Sequence, residues 1–151
     1  MESIRHGILN SMHLTLYADG GSRGNPGKAG AGAVVFDAHG KRVIEVADYL
    51  GIATNNVAEY EAVLRALKKL SEEFSKEHLS KVHVTIKMDS KLVIEQLSGN
   101  YKVKHPNLIP RYLEIKNLLA RHYTNVSFEH VRREYNKDAD ELANIAMDRG
   151  E

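Results

Sequence analysis

The feature of this sequence that most constrains its fold is a change of hydrophobic period at Asn56. Before it, apolar residues alternate: Leu14, Leu16 and Ala18 are separated by Thr15, Tyr17 and Asp19, the pattern of a half-buried strand over 13–19. A glycine-rich loop from Gly20 to Gly27 follows, and two more extended segments, 31–36 and 42–50, are joined around His39-Gly40. From Asn56 the spacing becomes three and four, with Tyr60, Val63, Leu64, Leu67, Leu70 and Phe74 lining one face of a helix. A polar linker ends that helix. Alternation returns in 82–89, a short helix over 90–97 stops at Gly99-Asn100, and Pro106 and Pro110 bracket the start of a helix running to about His122. A fifth strand over 126–131 precedes a last helix, capped by Asn136 and apolar at Ala139, Leu142, Ala143 and Ala146.

This order, βββαβααβα, is a meander followed by strand–helix units. A helical crossover lets the fourth strand lie parallel to the first. The expected class is therefore α/β, a mixed five-stranded sheet whose first three strands are antiparallel and whose fourth and fifth run parallel to the first, with helices on both faces. A chain of 151 residues suits one domain, expected over 13–148, with 1–12 as a flexible lead-in. There is no cysteine, which excludes disulfides and thiolate metal sites. Apolar runs are too short for a membrane span or a signal-peptide core, so the expected location is cytoplasmic. A formal net charge of +1 argues against gripping a polyanion by bulk charge, and any nucleic-acid contact must be local.

Four carboxylates stand out against that layout. Asp19 and Asp89 end the first and fourth strands on their polar faces, and parallel neighbours would bring both to one sheet edge, where ligands collect in open α/β sheets. Glu59 lies one turn before Val63, in line with Ala66 and Leu70, and so faces the sheet; Asp140 aligns in the same way with Ala143 and Met147. Singly, each acid has an ordinary explanation: Asp19 as a turn initiator, Glu59 in a capping box with Asn56, Asp89 as an N-cap, Asp140 as a complement to the helix dipole. Together, as a buried cluster, they cannot all stay ionised unless protons or cations intervene. An all-oxygen set favours Mg²⁺ or Mn²⁺. Two such ions roughly 3.5–4 Å apart suit phosphodiester hydrolysis.

Four local motifs fall in a telling order: Asp19-Gly20-Gly21-Ser22-Arg23-Gly24-Asn25-Pro26-Gly27, Thr54-Asn55-Asn56-Val57-Ala58-Glu59-Tyr60, Met88-Asp89-Ser90, and Asn136-Lys137-Asp138-Ala139-Asp140-Glu141-Leu142-Ala143. From about His13 to Met147 the chain resembles the type 1 ribonuclease H family. The resemblance implies cleavage of the RNA strand of RNA–DNA hybrids, two Mg²⁺ ions (Mn²⁺ as substitute) on Asp19, Glu59, Asp89 and Asp140, and 5′-phosphate and 3′-hydroxyl ends. It further implies that Glu59 touches a ribose 2′-hydroxyl, that Gly20, Ser22 and Asn25 line the groove, and that Thr54, Asn55 and Asn56 reach sugar and phosphate.

Two departures from longer members matter. Their basic, tryptophan-bearing protrusion is replaced by 99–106, where Tyr101, Lys102 and Lys104, with Arg111, are candidates for a reduced binding surface. Their mobile histidine loop is replaced by the short connection 131–136, as in a compact subgroup in which an arginine, here Arg133, stands near the scissile phosphate. A guanidinium stabilises phosphate charge but cannot shuttle a proton. His130 falls inside the fifth strand and reads as structural. The chain is expected to be a monomer with no membrane partner. The lead-in is also too short for the separate hybrid-binding domain of some relatives. Two other readings stay open at this point: a nuclease of the same fold acting on duplex RNA or DNA junctions, and a non-catalytic hybrid-binding module.

Overall fold

The computed structural model describes residues 13–150, so the expected lead-in over 1–12 lies outside the described residues. Strands β1 (His13–Arg23), β2 (Gly27–Asp37) and β3 (Arg42–Ala53) form the antiparallel meander. Helix α1 (Asn55–Glu73) and the single turn α2 (Lys76–Leu79) lead to β4 (His83–Met88). Then come α3 (Lys91–Leu97), α4 (Ile109–His122), β5 (Asn125–His130), a 3-10 turn (Arg133–Tyr135) and α5 (Lys137–Arg149). The sheet order is β3-β2-β1-β4-β5, with β4 parallel to β1 and β5 parallel to β4. This is the expected class and topology, with α2 as an added turn in the polar linker.

The core forms where the two hydrophobic periods meet. Leu14, Leu16 and Ala18 of β1 and Ala31, Ala33 and Val35 of β2 are fully buried against Tyr60, Val63, Leu67 and Leu70 of α1. On the opposite face α5 rides directly on β2: a Cβ at Gly32 would fall 2.2 Å from the Ala139 carbonyl oxygen and 2.4 Å from the Ala143 amide. Glycine here is what permits close approach of helix and strand.

Strand ends differ from the sequence reading. β1 does not stop at Asp19 and β2 does not wait until Ala31; the ladder continues through Gly20↔Ala31, Gly21↔Gly30, Ser22↔Ala29 and Arg23↔Lys28. The residues taken for a loop are small enough to pair flat, and a Cβ at Gly20 would meet the Ala58 carbonyl carbon at 2.2 Å, so α1 presses directly against them. Only Gly24, Asn25 and Pro26 remain as the turn. Among the described residues no helix is long and apolar enough to cross a membrane.

Candidate active site

Register brings the first pair of acids together. Thr15↔Thr85, Leu16↔Ile86 and Tyr17↔Lys87 pair in parallel, and the same register two residues further sets Asp19 beside Asp89, which follows the last residue of β4. Glu59 is delivered by a capped helix start: Thr54 Oγ1 accepts from the Val57 amide at 3.2 Å. The cap is Thr54 rather than Asn56, so Glu59 has no capping duty and projects beside the sheet. Asp140 sits in the first turn of α5, its amide donating to the Asn136 carbonyl at 3.1 Å.

All four acids line one open cavity of about 470 Å³ together with Gly20, Ser22, Asn55, Asn56 and Arg133. Asn25 and Thr54 do not line it. They line an adjoining cavity of about 330 Å³ with Asn56, Lys102, Lys104 and His105. Arg111 is held elsewhere, its Nε donating to Glu61 Oε2 at 2.7 Å, and Tyr101 is exposed. Arg133 Nε lies 3.6 Å from Asp89 Oδ2 with its side chain open to solvent, at 88% exposure. His130 points its ring at the Asp89 carbonyl oxygen, 3.2 Å away, and does not line the cavity.

The asparagines of the groove are partly engaged with the protein. Asn55 Oδ1 accepts from the Ser22 amide at 2.9 Å and from Ser22 Oγ at 3.2 Å, while Asn25 Oδ1 accepts from the Asn55 amide at 3.1 Å. These bonds clip the β1–β2 turn to the start of α1, leaving the side-chain amide N–H groups of Asn25 and Asn55 for other partners.

The acids are not alike. Burial pushes the Asp19 carboxyl up to about 8, with the charges of Asp89, Asp140 and Glu59 and a hydrogen bond shared with Asp140 adding to it. Burial likewise raises Glu59 to about 7, helped by Asp89 and opposed by a hydrogen bond from Ser90. Asp140, expected to face inward, is exposed instead. Ala139 and Ala143 carry the contact of α5 with β2, and the exposed Asp140 beside them lines the cavity within hydrogen-bond reach of Asp19.

Among the described residues no three acids or histidines stand close enough to form a ready-made coordination shell. The donor set nevertheless suits a hard divalent cation: four carboxylates, oxygen only, two of which hold protons toward neutral pH because burial, and after it the neighbouring charges, disfavours their ionised form. A cation that replaced those protons would relieve the same repulsion.

Asn136, expected as a helix cap, serves the site instead. Its side chain makes no cap; its Nδ2 donates to the Ala18 carbonyl at 2.9 Å and to Asp89 Oδ1 at 3.3 Å. Ser90 was not expected as a partner of Glu59. Its signal was its place directly after Asp89, where it caps α3 by accepting from the Val93 amide at 3.3 Å.

A family model described as reverse transcriptase-like matches residues 17–146. The chain is similar to "Bifunctional protein Rv2228c" of Mycobacterium tuberculosis, 45% identical over 138 residues that make up 91% of this chain and 36% of that protein. It thus spans about a third of the length of the first curated relatives it matches. "Ribonuclease H" of Chlorobium luteolum is 32% identical over 150 residues, covering 89% of this chain and 94% of that protein. Among solved structures, LC11-RNase H1 in complex with RNA/DNA hybrid is 44% identical with a TM-score of 0.85, covering 89% of this chain and 96% of that one.

Proposed function

This chain belongs to the ribonuclease H family, and on that premise we propose that it is an endonuclease hydrolysing the RNA strand of RNA–DNA hybrids to 5′-phosphate and 3′-hydroxyl ends. The observation that carries the reading is the convergence of Asp19, Glu59, Asp89 and Asp140 on one open cavity beside the carboxyl end of β4. The similarity to a relative solved with RNA/DNA hybrid supports the substrate.

The four acids would hold two Mg²⁺ ions, with Mn²⁺ able to substitute. When bound, such ions supply an activated water on one side of the phosphodiester and stabilise the leaving oxygen on the other. The chain's own groups do the rest. Glu59, beside the open cavity, is the acceptor for a ribose 2′-hydroxyl and so distinguishes RNA from DNA. Gly20, Ser22, Asn55 and Asn56 orient the RNA strand, with the free amide N–H group of Asn55 donating to it. Asn25 and Thr54, with Lys102 and Lys104, hold the backbone of the other strand in the adjoining cavity. Arg133 stabilises phosphate charge at the rim through two parallel N–H donors, and as a permanent cation it moves no proton.

The catalytic domain is proposed to span 13–148 and to act as a monomer in the cytoplasm, without a membrane partner. A labelled hybrid, a duplex DNA and a duplex RNA, each incubated with Mg²⁺, Mn²⁺ or chelator, test the reading. Cleavage confined to the RNA of the hybrid and abolished by chelator is expected. Preference for duplex RNA or DNA, or 2′,3′-cyclic phosphate products, would overturn it.

A further inference from the structure

One buried residue links Asp89 and the backbone before Asp19 through its side chain, and Asp140 and Arg133 through its backbone. Asn136 is 1% exposed. Its Nδ2 bridges the Ala18 carbonyl, which immediately precedes Asp19, and Asp89 Oδ1. Its backbone carbonyl accepts the Asp140 amide at 3.1 Å, and its backbone amide donates to the Arg133 carbonyl at 2.9 Å, closing the 3-10 turn that carries the arginine. The amide orientation is dictated by its surroundings: turned over, Oδ1 would face two acceptors, the Ala18 carbonyl and the Asp89 carboxylate. In the orientation observed, both N–H groups of Nδ2 have acceptors, while the buried Oδ1 has no partner among the described residues. Leaving a buried acceptor unpaired is costly, and the site bears that cost to keep a neutral donor against Asp89.

From this geometry we infer that Asn136 is the positioning residue of the cluster. It is a neutral strut that fixes the Asp89 carboxylate relative to Asp19 and ties the Asp140 and Arg133 rim to β1. The only other hydrogen-bond or ion-pair partner of the Asp89 carboxylate among the described residues is Arg133, 3.6 Å away with its side chain 88% exposed. Asn136 touches no substrate. It acts through the acids, as outer partners of metal-ligating groups do, and deleting such a partner typically weakens metal binding about 10–100-fold. The inference rests on the nuclease reading above, but its test does not need cleavage.

The test titrates Mn²⁺ into the full chain without nucleic acid, by calorimetry, for the wild type, Asn136→Ala and Asn136→Ser, with thermal melts of each. The expected result is a folded variant with Mn²⁺ affinity about 10-fold weaker or more. With hybrid, kcat should fall at fixed Mg²⁺ and recover at higher Mg²⁺, while KM stays within about threefold, because the strand-binding groups are untouched. Folded variants with wild-type Mn²⁺ affinity overturn the inference. So do variants that are both unfolded at low temperature, since the residue would then serve the fold and not the cluster. A wild type that binds Mn²⁺ yet spares the hybrid would defeat the proposed substrate, and the affinity ratio would still decide the role of Asn136.

Discussion

Asp19 and Glu59 stand on β1 and α1, the two elements whose inner faces are fully buried, whereas Asp140 and Arg133 stand on the first turn of α5 and the 3-10 turn before it, both exposed. Burial of the floor acids, together with the charge of the neighbouring Asp89, appears as raised proton affinity. For the proposed nuclease the difference has a use: a buried floor makes an added positive charge valuable, and an exposed rim leaves the cavity open to a strand.

The largest effect is expected at Asp89. Asp89→Asn removes the proposed metal ligand beside the floor acids without changing shape, and kcat should fall on the order of 10³-fold or more with folding intact. Cleavage persisting in a rigorously purified sample would show that the floor is not the metal site.

Next in size is Gly32→Ala, which drives a methyl into the backbone of α5. Overpacking there should cost about 1–3 kcal/mol in chemical denaturation and lower activity as well, since α5 carries Asp140. An unchanged denaturation midpoint would mean that the rim is not seated on β2.

Arg133→Ala should lower kcat about 10-fold, with Arg133→Lys recovering only part of it, and should leave stability within about 0.5 kcal/mol. An unchanged kcat would remove the arginine from the chemistry.

The smallest effect concerns pH. Asp19 and Glu59 titrate in the folded protein at about 8 and about 7, above their ordinary values of 3.8 and 4.5. The stability they contribute is therefore fully present below about pH 4 and is lost as pH rises through about 7 to 8. In chelator, the melting temperature should fall by a few degrees (~2–5 °C) between about pH 5 and about pH 8.5, and a divalent cation should restore it at the upper end. Asp19→Asn should flatten the profile, while Asp140→Asn should leave most of it. Equal effects from the two variants would erase the distinction between floor and rim.

Much of this architecture is legible in the residues because it rests on periodicity. Leu14, Leu16 and Ala18 at period two and Tyr60, Val63, Leu67 and Leu70 at three and four specify which faces pack, and parallel pairing of the first and fourth strands follows from the crossover. That much places Asp19, Asp89 and Glu59 near one another. The extent of the β1–β2 hairpin was not legible, because glycine and serine carry no hydrophobic signal; Gly20 and Gly21 read as a loop until α1 is seen pressing on them. Arg111 looked like a surface cation, and only the approach of α4 to α1 shows it held by Glu61.

The sequence by itself determined the type and order of the elements, the four acids and the chemistry their oxygen-only donor set admits, because these depend on local spacing and residue identity. Only the tertiary structure decided which acids are floor and which rim, that Asn25 and Thr54 belong to a second cavity, and that Asn136 braces Asp89 instead of capping a helix. Burial and hydrogen-bond partners arise between segments distant in the chain: the Nδ2 of Asn136 reaches a carbonyl 118 residues away, a contact no local pattern encodes.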